Sequence, residues 1–228
     1  MNNESYEKND NLLKTVFDDL DKIIVGLKNG ELITIAGRPA LGKSSLGISI
    51  INNVSKQTDK KILYFNLESP KDILSKRIIG DNVEIIDDIG NIEYIKIKCE
   101  EISKQGISLV VIDYFQLITT SNEYTNRLEE VFYISRILKT LALELDIPII
   151  VLSQLSRSIE EREDKRPKLD DTRTTGLQQD SDKIICLYSD DYYNRKPLNK
   201  VEVIVVKNRG GNLGRIELTF NKDTLTFE

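Results

Sequence analysis

Gly37-Arg38-Pro39-Ala40-Leu41-Gly42-Lys43-Ser44 fits the pattern G-x-x-x-x-G-K-[ST]. It stands between a β-branched apolar run, Glu31–Ala36, and a stretch with helical spacing, Ser44–Lys56. A strand, a glycine turn and a helix in that order constrain the chain more than any other feature, because they build an anion cradle at a helix N-terminus. The glycines let backbone amides fold around a phosphate. Lys43 reaches the β- and γ-phosphates, and the Ser44 hydroxyl is a ligand for Mg²⁺. Gly37, Arg38, Pro39, Ala40, Leu41, Gly42, Lys43, Ser44 and the following Ser45 are therefore the candidate nucleotide-binding residues.

The rest of the chain reads as the sheet such a loop needs. Apolar β-branched runs recur at Ile62–Leu67, Val83–Ile86, Ser108–Ile112, Pro148–Leu152, Lys183–Tyr188 and Val201–Val206. Helical stretches lie between the earlier ones, at Pro70–Ile79, Ile92–Lys104 and Leu128–Leu145. In the last, Val131, Ile134, Ile137, Leu138, Leu141 and Leu145 fall at helical spacing. This alternation predicts an α/β fold, a mostly parallel sheet with helices on both faces. Val201–Lys207, Arg215–Phe220 and Thr224–Phe227 follow without helices between them and predict an antiparallel β extension at the C-terminus. Leu12, Leu13, Val16, Phe17 and Leu20 share one face of an expected N-terminal helix. Ser156–Gln179, the longest stretch without an apolar period, reads as a functional loop.

Three strand ends carry candidate chemistry. Asp113 closes Ser108–Ile112, where a carboxylate holds Mg²⁺ through water in proteins with this loop; alone, such a residue also simply ends a strand. Glu68 closes Ile62–Leu67, expected beside the phosphate strand. It is placed to take the proton of a water attacking the γ-phosphate, and equally to cap the helix that Ser69-Pro70 opens. Gln154, after Pro148–Ser153, is a candidate γ-phosphate sensor or an ordinary polar strand end.

Composition removes competing chemistries. The chain has 228 residues with no histidine, so a histidine base, a histidine metal site and a Ser-His-Asp relay are all excluded. Cys99 and Cys186 lie in apolar runs and read as buried thiols of a reducing compartment, with no disulfide and no zinc expected. No apolar run approaches the roughly 18–20 residues that span a bilayer, and the expected location is cytoplasmic, with no membrane contact. Net charge is −5, so any nucleic-acid contact has to be local rather than a basic coat.

Several further runs appear in order: Phe65-Asn66-Leu67-Glu68, Ile112-Asp113-Tyr114-Phe115-Gln116-Leu117, Leu152-Ser153-Gln154-Leu155-Ser156-Arg157, Asp164-Lys165-Arg166-Pro167, Gln179-Asp180-Ser181-Asp182, Lys207-Asn208-Arg209 and Leu218-Thr219-Phe220. With Gly37–Ser44 they resemble the C-terminal, RecA-like motor domain of the DnaB-type replicative DNA helicases, from about Phe17 to Glu228. The resemblance implies a homo-hexamer that hydrolyses ATP with Mg²⁺ at subunit interfaces while moving on single-stranded DNA. It implies a motor domain over residues 21–228 and part of a linker helix over residues 1–20, without the family's N-terminal primase-binding domain. A loader or primase partner follows from the same resemblance.

Roles then fall on matching positions. Lys43 and Ser44 hold phosphate and Mg²⁺, Glu68 is the base, Asp113 the metal carboxylate and Gln154 the sensor. Lys207 and Arg209 become the cations inserted into a neighbour's site, as charge on a transferring phosphoryl group is met by arginine supplied in trans. Without the resemblance they read as a solvated hairpin tip. Arg173, Thr174 and Gly176 become the DNA-binding residues, largely through main-chain amides. Residues 156–176 hold six cations and six anions, which by charge alone describes a solvated loop. Thr174, Thr175 and Gln178 depart from the family's usual Glu, Ser and Glu. The segment between Glu68 and Asp113 is shorter than a full replicative helicase carries. A helicase-derived ATPase that uses ATP only as an assembly switch, and a recombinase-type filament, are the other readings of the same loop.

Overall fold

A computed structural model describes residues 12–87 and 90–228, the side chains of 173–175 excepted. Nine strands form one sheet: β1 (Leu32–Gly37), β2 (Lys61–Asn66), β3 (Val83–Ile86), β4 (Ile107–Asp113), β5 (Ile149–Gln154), β6 (Lys183–Tyr188), β7 (Lys200–Asn208), β8 (Gly214–Asn221) and β9 (Thr226–Phe227). Their order is β3-β2-β4-β5-β1-β6-β7-β8-β9. Strands β3 to β6 in that order are parallel, and β7, β8 and β9 extend the sheet antiparallel. The α/β sheet with an antiparallel C-terminal extension is thus as the sequence predicts.

The helices are α1 (Asp18–Ile24), α2 (Lys43–Ser55), α3 (Lys71–Leu74), α4 (Ile92–Ser103), α5 (Arg127–Leu145), α6 (Leu177–Asp180) and α7 (Asp190–Tyr193). Side chains alternate across each strand, so one run feeds two cores. Ile33, Ile35, Tyr64, Val111 and Leu152 pack with Leu20 and Ile24 of α1 and Leu46 and Ile50 of α2. Leu32, Leu63, Phe65, Ile112 and Val151 pack with Ile95 and Cys99 of α4 and Val131, Ile134 and Leu138 of α5. Burial on both faces is why the parallel strands read as continuous apolar runs. Cys99 and Cys186 are both buried, and burial pushes the Cys99 thiol up to about 12. Among the described residues no helix is long and apolar enough to cross a membrane.

Four expectations need correction. The N-terminal apolar face is not one helix: Leu13 pairs with Leu27 in a β-bridge, Val16 is exposed at φ +66°, and helix begins only at Asp18. The Asp21 carboxylate accepts the amides of Thr15 and Val16, both at 3.0 Å, and so fixes a turn ahead of α1. The stretch 70–79 holds one helical turn, Lys71–Leu74. Its continuation is pulled open from α2, where the Asn52 amide donates to the Arg77 carbonyl (2.8 Å) and accepts from the Ile79 amide (3.0 Å). Asn52→Ala strands both backbone groups and is expected to cost about 1–3 kcal/mol, read as a lower denaturant midpoint at constant slope.

Strand β2 does not neighbour β1, because β4 and β5 stand between them. Finally, segment 156–179 is not featureless. It contains 3₁₀ turns at Arg157–Glu161 and Leu169–Thr175 and then enters α6.

Candidate nucleotide site

The loop between β1 and α2 is shaped by two residues at positive φ, Ala40 (+62°) and Gly42 (+85°). A Cβ at Gly42 would stand 2.8 Å from the Phe227 ring of β9, so close approach as well as backbone angle requires glycine there. Lys43 folds back over the loop and donates to the Arg38 carbonyl at 3.2 Å. Above it opens a cleft of about 400 Å³. Pro39, Ala40, Gly42, Lys43, Ser44 and Ser45 line it from the loop, and Glu68 and Gln154 from the ends of β2 and β5.

Glu68 arrives although its strand is remote from β1, because the chain turns over the sheet's C-terminal edge. The Leu67 amide donates to the Asp113 carbonyl (2.7 Å), tying the end of β2 to that of β4. The Asn66 side chain accepts from Ser69 N at 3.0 Å and shapes the following turn. The N-cap of α3 is Pro70 and carries no side-chain cap bond, so Glu68 is not the cap that the sequence allowed.

Asp113 lies behind the cleft, almost wholly buried. One carboxylate oxygen accepts the Tyr64 hydroxyl at 2.8 Å, and the other has no partner among the described residues. A buried, unpartnered carboxylate oxygen calls for a cation or a water. The oxygen donors here, the Ser44 hydroxyl and the Asp113 carboxylate, fit Mg²⁺, which takes few protein ligands and relies on phosphates and water for the rest. No group of three or more His, Cys, Asp or Glu side chains able to hold a metal occurs among the described residues.

The electrostatics follow from this crowding. Burial lowers the Lys43 ammonium's pKa, and the charges of Asp113 and Glu68 partly restore it. Burial raises the Glu68 carboxyl above its ordinary value, Asp113 raises it further, and Lys43 opposes both.

The other predicted residues divide. Gly37 sits under Lys43, where a Cβ would meet the lysine stem at 3.4 Å. Arg38 contributes only its carbonyl: its guanidinium turns away to Glu160 (2.7 Å) and the Leu155 carbonyl (3.1 Å). Leu41 is in the core. Lys207 and Arg209 lie outside the cleft. Lys207 donates to the Gln178 carbonyl (2.7 Å), and Arg209 to the Gln179 carbonyl (2.7 Å) while facing Asp182 at 3.4 Å. Burial, then the Arg209 charge, lowers the Lys207 pKa. Gly176, at φ +69°, is the N-cap of α6, with its carbonyl accepting from Ser135. The side chains of Arg173 and Thr174 are outside the described residues.

Sequence reasoning assigned no role to Arg77, Tyr114, Leu198 or Phe220, which also line the cleft. Arg77 donates to the Ser45 hydroxyl and to the Leu225 carbonyl, each at 2.8 Å, bracing the start of α2 against the β8–β9 turn. Nothing in the local pattern marks it, because its partners are remote in the chain. Gln116, within the run Ile112–Leu117, is another residue to which the sequence assigns no role. Its side chain accepts the Gln154 amide (3.2 Å) and donates to the Gln154 carbonyl (3.2 Å) and the Ser153 hydroxyl (3.0 Å).

The family model described as DnaB-like helicase C-terminal domain matches residues 13–89 and 81–228. The chain is 36% identical over 249 aligned positions to the replicative DNA helicase DnaB of Geobacillus stearothermophilus, covering 92% of this chain and 55% of that protein. It is 35% identical to the replicative DNA helicase DnaC of Bacillus subtilis, with the same two shares. It thus spans about half the length of the curated relatives it matches. A solved ATPase domain superposes with a TM-score of 0.89 at 32% identity, over 98% of this chain and 93% of its own. A DnaB-like replicative helicase, solved in a study of its interactions with primase, gives 0.86 at 32% identity, over 94% of this chain and 62% of its own. The fold is that of the RecA-like helicase ATPase domains.

Proposed function

The chain belongs to the DnaB-like helicase C-terminal domain family, and from that premise we propose that it is an ATP-hydrolysing motor that moves on single-stranded DNA as a homo-hexamer. What carries the reading is the convergence of Lys43, Ser44, Glu68 and Gln154 on one cleft, with the unpartnered Asp113 oxygen behind it. In this reading residues 21–228 are the motor and residues 1–20 part of a linker. A primase or loader partner belongs to the same proposal, since one solved relative is described together with its interactions with primase.

The roles follow from chemistry already in place. The loop amides and Lys43 hold the β- and γ-phosphates of ATP, and Ser44 and Asp113 hold Mg²⁺. When bound there, the ion would offset the negative charge of the phosphates. Glu68, ionised, accepts a proton from the attacking water, and Gln154 bonds the γ-phosphate. Lys207 and Arg209 serve the neighbouring subunit's site. Consistent with that, they line no part of their own cleft and are presented on the end of β7 and its turn by α6 carbonyls. Arg173, Thr174 and Gly176 are the proposed DNA-binding residues.

The trans assignment sets the test. Arg209→Ala is expected to lower turnover about 10³-fold or more while leaving nucleotide binding by the isolated subunit unchanged, measured by hydrolysis rate and fluorescent-nucleotide titration. An unchanged rate removes Arg209 from the site.

A further inference from the structure

Segment 156–176 is neutral by count, yet the fold sorts its charges. Arg162 forks onto Asp171, both bonds at 2.9 Å, and Arg166 forks onto Glu202, the shortest contact 2.6 Å. Lys165 lies over the Tyr193 ring at 5.2 Å. Glu160 leaves the segment's cations altogether and pairs with Arg38. Arg157 remains exposed, with no carboxylate partner among the described residues.

Arg157 stands at a second cleft, of about 300 Å³, with Arg38, Gln116, Arg127, Gln154 and Ser156. Three arginines and no Asp or Glu line it. Two are neutralised and fixed: Arg38 by Glu160 and the Leu155 carbonyl, Arg127 by Glu130 at 2.7 Å and by the Gln116 and Ile118 carbonyls at 3.1 Å. That leaves Arg157 as the one arginine of this lining without a carboxylate partner among the described residues.

We propose that this cleft is a second anion site, which takes one backbone phosphate of single-stranded nucleic acid on the guanidinium of Arg157. A planar fork suits phosphate oxygens. A phosphodiester carries a single negative charge, which one free guanidinium balances, whereas a phosphate monoester at neutral pH carries nearly two. The cleft shares Gln154 with the nucleotide cleft, and Gln116 holds both main-chain polar groups of Gln154. An occupant here therefore borders the residue that faces the γ-phosphate. The inference rests on the motor reading and adds to it a phosphate contact apart from Arg173, Thr174 and Gly176.

The test is binding of a fluorescent oligothymidylate to the full chain, with a non-hydrolysable ATP analogue, across a salt series. Arg157→Ala is expected to weaken binding about tenfold, the equivalent of one charge-assisted contact, and to flatten the log–log salt slope by roughly 0.7. Lys168→Ala, which removes an exposed cation of the same segment outside the cleft, is expected to change both far less. Equal effects of the two substitutions, or none from Arg157→Ala, overturn the site while the motor reading stands. Inorganic phosphate at matched ionic strength is expected not to compete; competition that needs Arg157 makes the occupant free phosphate and also overturns it. A wild-type chain that binds no oligothymidylate at any salt removes the motor reading and this site together.

Discussion

Lys43→Ala is expected to abolish nucleotide binding and turnover together while the fold persists. Lys43 is the only cation that the phosphate loop itself presents to the cleft, and it is already drawn over that loop by the Arg38 carbonyl. Two charge-assisted contacts to phosphate at about 1.5–3 kcal/mol each correspond to an affinity loss of about 100-fold or more. The same substitution removes a half-buried ammonium whose pKa is lowered mainly by burial, so the charged form is held at a cost in the free protein. Alanine at the first position of α2 favours helix. Thermal unfolding is therefore expected at an unchanged or higher temperature, beside a fluorescent-nucleotide titration that no longer saturates. A large drop in melting temperature contradicts this account of Lys43.

Glu68→Gln is expected to separate chemistry from binding. A base that takes the proton of the attacking water contributes about 10²–10⁴-fold, and the amide keeps the shape without the basicity. Turnover is expected to fall by that factor while the nucleotide still binds, since glutamine also removes a negative charge from beside Asp113 and the phosphates. The pH profile gives a second readout. Burial and Asp113 raise the Glu68 pKa above the ordinary carboxylate value, and the base works only when ionised. The rate therefore climbs with pH through that raised value and is lost on the acid side. In Glu68→Gln the residual rate lacks this limb. An unaltered acid limb in the variant assigns the titration to another group.

The nucleotide loop and the strands were legible because each obeys a local rule. A glycine pattern between strand and helix has one use, and a strand buried on both faces leaves a continuous apolar run. Glu68 and Asp113 could be named as strand ends for the same reason. The place of β2 could not be read, since strand order is set by crossovers that leave no mark on the strands. Only the fold reveals that β4 and β5 separate β2 from β1 while the turn after it still brings Glu68 to Lys43. The shortened helix at 70–79 has a similar cause: its apolar spacing is helical, and the side chain that opens it, Asn52, belongs to α2. Arg77 and Gln116 gave no usable signal, because their roles are bonds to remote backbone and hydroxyl groups. Counting charges over 156–176 gives a sum of zero and cannot show the pairings, which join Arg162 to Asp171 and Arg166 to Glu202 and leave Arg157 without a carboxylate partner among the described residues.

The central claim is a DNA-responsive ATP motor, and ATP hydrolysis measured with and without single-stranded DNA, with solution mass followed in the same buffer, tests it most directly. The account predicts an oligomer, hexameric with nucleotide bound, whose turnover rises when DNA is added. A monomer that binds ATP and whose turnover ignores DNA contradicts it, and leaves this fold as a nucleotide-controlled assembly switch.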